Sequence, residues 1–290
     1  MDGYQTIKQQ LYSIPAAERT LERIKDVIFY AEQMHMPAQV APLTKGMLIY
    51  RARPQDSTTR RSLKHQMSFQ PNPDKTEQGR GNLAKNPVFY GSVRSQEVGH
   101  GWFLACNEVA EKVYPPCQTF GVSVWRVKKD LPVMLLSTRK EQASGMDIAR
   151  RAYRDFLELI KGVPAEQYRR AVELFDCLGE EFSKEVDRPE DYWISAAFAH
   201  LVYCNFAGGI SYPSVANHFM GYNVCIHPDL IEDHLDLVGG QLIQYQVGDD
   251  QTYVGNYEMF DGNTEPFVWN PMDPKYSMGR PWMDHNYPHK

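Results

Sequence analysis

At 290 residues, with 42% apolar and 23% charged side chains, the chain can bury a substantial core, and its ordinary composition excludes disordered and fibrous classes. A formal net charge of −5 argues against nucleic acid as a partner, because phosphate backbones are met by basic faces; it leaves room for a local basic pocket. No apolar run reaches the roughly 20 residues that cross a bilayer, so no membrane contact is expected.

The first ten residues lack the basic-then-apolar layout of a signal peptide. Five scattered cysteines (Cys106, Cys117, Cys177, Cys204 and Cys225) contain no CxxC pair, which argues against a disulfide framework or a zinc knuckle. A reduced, cytoplasmic protein is the expectation. In chain order, Ser13 with Pro15 and Glu18 suggests a cap, after which Leu21, Ile24, Ile28 and Ala31 share a helical face that Pro37 and Pro42 end. From Met47 the texture becomes short apolar runs between Gly- and Pro-bearing loops. Strands are expected over Met47–Arg53, Pro87–Ser92, Phe120–Val127, Pro132–Ser137, Gly209–Val215, Asn223–His227 and Gln241–Val247.

Between the fourth and fifth strands lies a helical block. Ile148, Phe156 and Ile160 share one face, Gly162 and Pro164 punctuate, and Tyr168, Val172, Phe175 and Phe182 continue. A third helix starts near Asp187 and Pro189, runs through Ile194, Phe198 and Leu201, and stops at Gly208 and Gly209. Strands and helices in blocks favour an α+β fold over a doubly wound parallel sheet.

No phosphate-binding Walker loop, nucleophile elbow, HExxH or EF-hand is present. Four segments carry residues suited to chemistry. Arg51 ends an apolar strand, where a guanidinium can grip phosphate or ribose; alone it is an ordinary strand-end arginine. Gly79, Arg80, Gly81 and Asn82 form a polar loop leading to Tyr90, whose ring could stack on a flat heterocycle or simply fill core. Trp102 to Glu111 reads as a helix with Glu108 in its apolar part; such a carboxylate can stabilise positive charge at a glycosidic centre, although a solvated helix glutamate is commoner. Gly208 to Val215 brings Tyr212, Pro213 and Ser214, with the Ser214 hydroxyl fixed by the preceding proline or used in a local turn.

Taken together these segments, from about Leu48 to His227, resemble the RES domain, a family named for an arginine, a glutamate and a serine. The matching pieces are Tyr50-Arg51, the Gly79–Asn82 loop with Val88 to Tyr90, Ala105 to Glu108, Lys129 to Val133, Gly209 to Val215, and Asn223 to Ile226. The resemblance implies an ADP-ribosyltransferase-like α+β fold with mixed or antiparallel sheets and flanking helices. It places a catalytic domain over residues 44–235, an N-terminal helical extension over 1–43, and a C-terminal strand and tail over 236–290. It further implies an enzyme that takes NAD as substrate, needs no cofactor or metal, and breaks the nicotinamide–ribose bond.

The implied roles are Arg51 on the NAD phosphate or ribose, and Tyr90 on the nicotinamide. Glu108 would take the ribose and developing cation, Ser214 would orient Arg51 or the ribose, and Arg80 and Asn82 would close over the phosphates. Tyr212 joins them as an NAD-binding residue. The interval from Tyr90 to Glu108 is longer than the family spacing, which makes Glu97, in a polar loop, a rival carboxylate. Water, phosphate or a protein side chain could be the acceptor. Family members deplete NAD as toxins and are restrained by an antitoxin that covers the cleft. The alternatives are a non-catalytic nucleotide- or protein-binding module on the same fold, and a metal enzyme using the nine dispersed histidines.

Overall fold

Eleven strands join one sheet in which every pairing but one is antiparallel, in a computed structural model that describes residues 6–29, 40–55, 60–93, 101–110, 117–137, 147–205, 207–247, 252–272 and 280–282. The strands are β1 (Val40–Leu43), β2 (Leu48–Pro54), β3 (Phe89–Val93), β4 (Cys117–Val127), β5 (Leu131–Leu135), β6 (Gly209–Pro213), β7 (Tyr222–Ile226), β8 (Leu235–Val247), β9 (Thr252–Asp261), β10 (Asn270–Pro271) and β11 (Arg280–Trp282). Their order is β1-β5-β6-β7-β3-β2-β4-β8-β9-β10, with β11 also on β9, and β5–β6 is the parallel pair. The helices are α1 (Ile7–Tyr12), α2 (Leu21–Phe29), α3 (Lys64–Met67), α4 (Gly101–Val109), α5 (Asp147–Leu159), α6 (Ala165–Ser183), α7 (Trp193–Asn205) and α8 (Ile231–His234). The α+β expectation holds at this level.

The first helix expected from the sequence is two. Thr6 and Gln9 form a reciprocal capping box that starts α1, and Ser13 ends that helix instead of opening the next. Ile7 and Leu11 from α1, and Ile24 and Ile28 from α2, enter the same core as Leu174, Leu178 and Phe182 of α6 and Phe198 of α7. The N-terminal helices therefore share a core with the main body. That core covers one face of the central strands, meeting Ile210 and Tyr212 of β6 and Cys225 of β7. Val224 and Ile226 of β7 face a second core built on Phe89, Trp125 and Leu235, so β6 and β7 are buried on both faces. Seven strands expected from the sequence are found with bounds shifted by a few residues; β8 begins earlier than expected, and β1, β9, β10 and β11 are additional.

The feature that makes a site is a split in the middle of the sheet. β2 pairs with β4 along its whole length, Leu48 opposite Arg126 through Pro54 opposite Phe120. With β3, on its other side, it pairs among the described residues at Ile49–Val93 and Tyr50–Ser92 only. Beyond Tyr50 the two strands diverge, while β3 stays paired with β7 down to Phe89. Helix α4 packs on β2 beside this opening, with Ala105 and Cys106 against Ala52, Phe120 and Val122.

Candidate functional site

A cavity of about 450 Å³ lies at the split, in the size range of small-molecule sites. Arg51 and Arg53 of β2, Tyr90 of β3, Glu108 of α4 and Tyr212 of β6 line it, and Arg80 reaches it from the loop before β3. Segments far apart in the chain thus converge, as the sequence reading expects. Two of the expected residues, Asn82 and Ser214, are not in the lining.

Arg51 spans the divergence of β2 and β3. Its Nε donates to the Ser68 carbonyl at 3.0 Å and its Nη1 to the Tyr90 carbonyl at 2.6 Å. Arg53, two residues on and therefore on the same side of the strand, sends Nη2 to the same Ser68 carbonyl at 2.5 Å. Among the described residues neither guanidinium has a carboxylate partner. Burial first, and Arg53 second, push Arg51 down to about 9, and burial with repulsion from Arg61 brings Arg53 to about 10. Both stay cationic at neutral pH. The Arg53 Nε and the Ser68 hydroxyl are buried without a hydrogen-bond partner among the described residues. An arginine cluster of this kind suits an anion, which relieves the repulsion and uses the remaining donors.

Tyr90 uses its hydroxyl to shape the neighbouring loop. It donates to Asn82 Oδ1 at 2.7 Å and accepts from the Gly81 amide at 2.8 Å. Burial holds the phenol far above its usual range, so it stays neutral, and its ring lines the cavity. Asn82 is buried and donates to the Glu77 and Leu83 carbonyls, so it builds the loop from inside and does not face a ligand. Arg80 lines the cavity but is tethered: Nη1 donates to the Phe182 and Lys184 carbonyls at the end of α6, at 2.9 and 3.0 Å, and its head lies 4.9 Å from the Tyr192 ring centre. Of the two residues expected to close over phosphates, Arg80 lines the cavity while anchored to the end of α6, whereas Asn82 lies inside its loop and outside the lining; Arg53, which the sequence reading did not single out, lines the cavity beside Arg51.

Glu108 is solvent-exposed at the rim of the cavity, not in the apolar setting expected of it. The apolar residues of α4 that suggested burial, Phe103 to Cys106, are themselves buried, but they lie in the preceding turn of the helix. Ser214 is fully buried behind Glu108, and its hydroxyl donates to Glu108 Oε1 at 2.5 Å. It therefore orients Glu108, not Arg51 or a ligand. Asn217, which the sequence reading did not single out, donates to the Ser214 oxygen at 2.6 Å. Tyr212 is 4% exposed and lines the cavity. Burial raises its pKa well above the ordinary value, with Cys225 and Tyr90 adding to the shift, so it presents a neutral phenol to the cavity. The rival carboxylate Glu97 lies outside the described residues, as do Glu111 and the tail histidines His285 and His289.

Among the described residues no group of three or more His, Cys, Asp or Glu side chains is placed to hold a metal ion, and no helix is long and apolar enough to cross a membrane. No family model matches the chain, and no curated protein matches it.

Proposed function

We propose that the cavity binds NAD and breaks the bond between nicotinamide and ribose, on an ADP-ribosyltransferase-like fold of the RES type. The observation that supports this best is the pairing of an uncompensated arginine cluster, Arg51 with Arg53, with an exposed carboxylate, Glu108, across one cavity. A dinucleotide has the matching pattern: a diphosphate for the guanidinium end and a cationic nicotinamide–ribose for the carboxylate end. The order of the motifs along the sequence is the second support.

In this reading the pyrophosphate lies on Arg51 and Arg53, and the flat rings of Tyr90 and Tyr212 bound the space for nicotinamide. When the C1′–N bond breaks, its electron pair goes to the ring nitrogen and nicotinamide leaves neutral. The ribosyl carbon is left with oxocarbenium character. Ser214 holds one oxygen of Glu108, and the other is available to the ribose hydroxyls and the developing charge. An oxygen nucleophile then bonds to C1′; if it is water, its proton goes to solvent. Water gives free ADP-ribose, inorganic phosphate gives its 1-phosphate, and a protein side chain gives a modified protein.

The toxin-like role and an antitoxin that covers the cleft belong to the same proposal. The testing experiment incubates the purified chain with NAD, with and without phosphate, and identifies products by mass. Nicotinamide release with ADP-ribose, its phosphate or a modified protein supports the reading and names the acceptor. NAD recovered intact while bound stoichiometrically would instead support the non-catalytic module.

A further inference from the structure

We infer that Asn217 is a positioning residue that sets the direction of the Ser214–Glu108 hydrogen bond, keeping Glu108 an acceptor with its second oxygen open to the cavity. Asn217 is 1% exposed and does not line the cavity, so it acts only through its neighbours.

The direction follows from the partners. Asn217 Nδ2 lies 3.3 Å from the Leu104 carbonyl of α4, and a backbone carbonyl can only accept. The Asn217 atom facing it is therefore the amide nitrogen, which also meets the Ser214 oxygen at 2.6 Å. The amide oxygen takes a hydrogen from Asn107 Nδ2 at 2.7 Å, in agreement with that orientation. Since Ser214 accepts from Asn217, its single hydroxyl hydrogen goes to Glu108 Oε1, 2.5 Å away. The chain runs amide to hydroxyl to carboxylate, and Leu104, Asn107 and Glu108 all sit on α4. One helix thus supplies both the groove that fixes Asn217 and the carboxylate that benefits.

The backbone gives a second, independent indication. Asn217 is followed by His218 at φ 50° and Phe219 at φ 66°, left-handed conformations that are unfavourable for a bulky side chain. The turn is closed by Phe219 N to Ser214 O at 2.8 Å, Met220 N to Asn217 O at 2.8 Å and Ser214 N to Gly221 O at 2.9 Å. A strained turn bonded back to Ser214 at both ends holds Asn217 directly under the serine hydroxyl.

The catalytic side of this inference rests on the NAD reading; the hydrogen-bond direction does not. Two measurements separate them. In the full chain labelled with 15N-asparagine, Glu108→Gln and Ser214→Ala should each shift the side-chain amide signals of Asn217; unchanged signals in both would overturn the network. For nicotinamide release, Asn217→Ala should lower kcat about tenfold to hundredfold with KM within about twofold, as small displacements of a catalytic group do. In a Ser214→Ala background the same change should cost nothing further, whereas a merely structural residue would cost the same in both. Asn217→Asp keeps the volume but should lose as much kcat, because its oxygen draws the Ser214 proton away from Glu108. A folded Asn217→Asp with ordinary kcat, or losses that multiply in the double variant, would overturn the inference. Shifted amide signals in a wild-type chain that releases no nicotinamide would sink the NAD reading and leave the Asn217 assignment standing.

Discussion

Arg51 donates to the backbone carbonyl of Tyr90 at 2.6 Å, across the point where β2 and β3 part. A side chain there replaces the strand-to-strand bonding that the divergence gives up, and the same guanidinium faces the cavity. Its planar fork does both jobs at once. Arg51→Lys keeps the charge but cannot reach Ser68 and Tyr90 together. Nicotinamide release should fall by about 10²-fold or more, in the range for loss of one preorganised charge contact, with the variant still folded by circular dichroism. A Lys variant as active as wild type would remove Arg51 from the site.

The pH dependence of anion binding follows from the same residue. Its pKa in the empty site is pushed down to about 9, mainly by burial. A bound diphosphate favours the cation and raises that value, so binding takes up a proton only where the empty site has begun to lose it. Calorimetry of ADP-ribose binding in buffers of differing ionisation enthalpy should show no uptake through Arg51 at pH 7, and uptake emerging as pH approaches 9. Affinity should decline above that point.

Glu108→Gln removes the charge and keeps the shape. It should lower kcat by about 10²–10³ with little change in ADP-ribose affinity, measured by single-turnover nicotinamide release and by calorimetry. Equal activity would transfer the role to another carboxylate, Glu97 being the first to test.

Arg60 and Glu258, neither of which lines the cavity, form a bidentate pair, with Nε–Oε2 at 2.8 Å and Nη2–Oε1 at 2.9 Å. The Arg60 hydrogen bond lowers the Glu258 pKa below its usual value. A depressed carboxylate gives stability that is present above its unfolded pKa and lost as pH falls through the folded one. Wild type should therefore exceed Glu258→Gln in urea midpoint at pH 7, with the gap closing as pH drops below the ordinary carboxylate range.

Cys204 is exposed, whereas Cys106, Cys177 and Cys225 are buried free thiols. Burial pushes Cys177 and Cys225 up to about 12 and Cys106 higher still. Iodoacetamide at pH 8 should modify Cys204 in the native chain and reach those three only on unfolding, as read by peptide mass mapping.

The pieces of the site that could be read from the sequence are those whose local pattern matches their final place. Arg51 follows the apolar Leu48-Ile49 run inside β2, Tyr90 sits in β3, and Tyr212 precedes the Pro213-Ser214 step. What could not be read depends on contacts distant in the chain. Asn82 resembles a ligand-facing loop residue until its amide oxygen is seen to accept from the Tyr90 hydroxyl, and nothing near Ser214 indicates that its partner is 106 positions away. Proline misled at the edges. Pro42, expected to end a helix, lies in β1, which among the described residues pairs with β5 alone; Pro271 and Pro281 lie in β10 and β11, each paired there with β9 alone. A strand bonded on a single side can omit an N–H, so proline is tolerated there.

Glu108 stands at the open rim while Arg51 is held beneath the surface by two carbonyls. On the proposed reading this asymmetry sets how the bound molecule is presented. The sugar nucleotide stays anchored by its phosphates on Arg51, and the carbon that Glu108 faces is turned toward the mouth. Whatever molecule next arrives through the mouth, small or protein-borne, meets that carbon, so the identity of the acceptor is decided by who reaches the doorway and not by a dedicated second chamber.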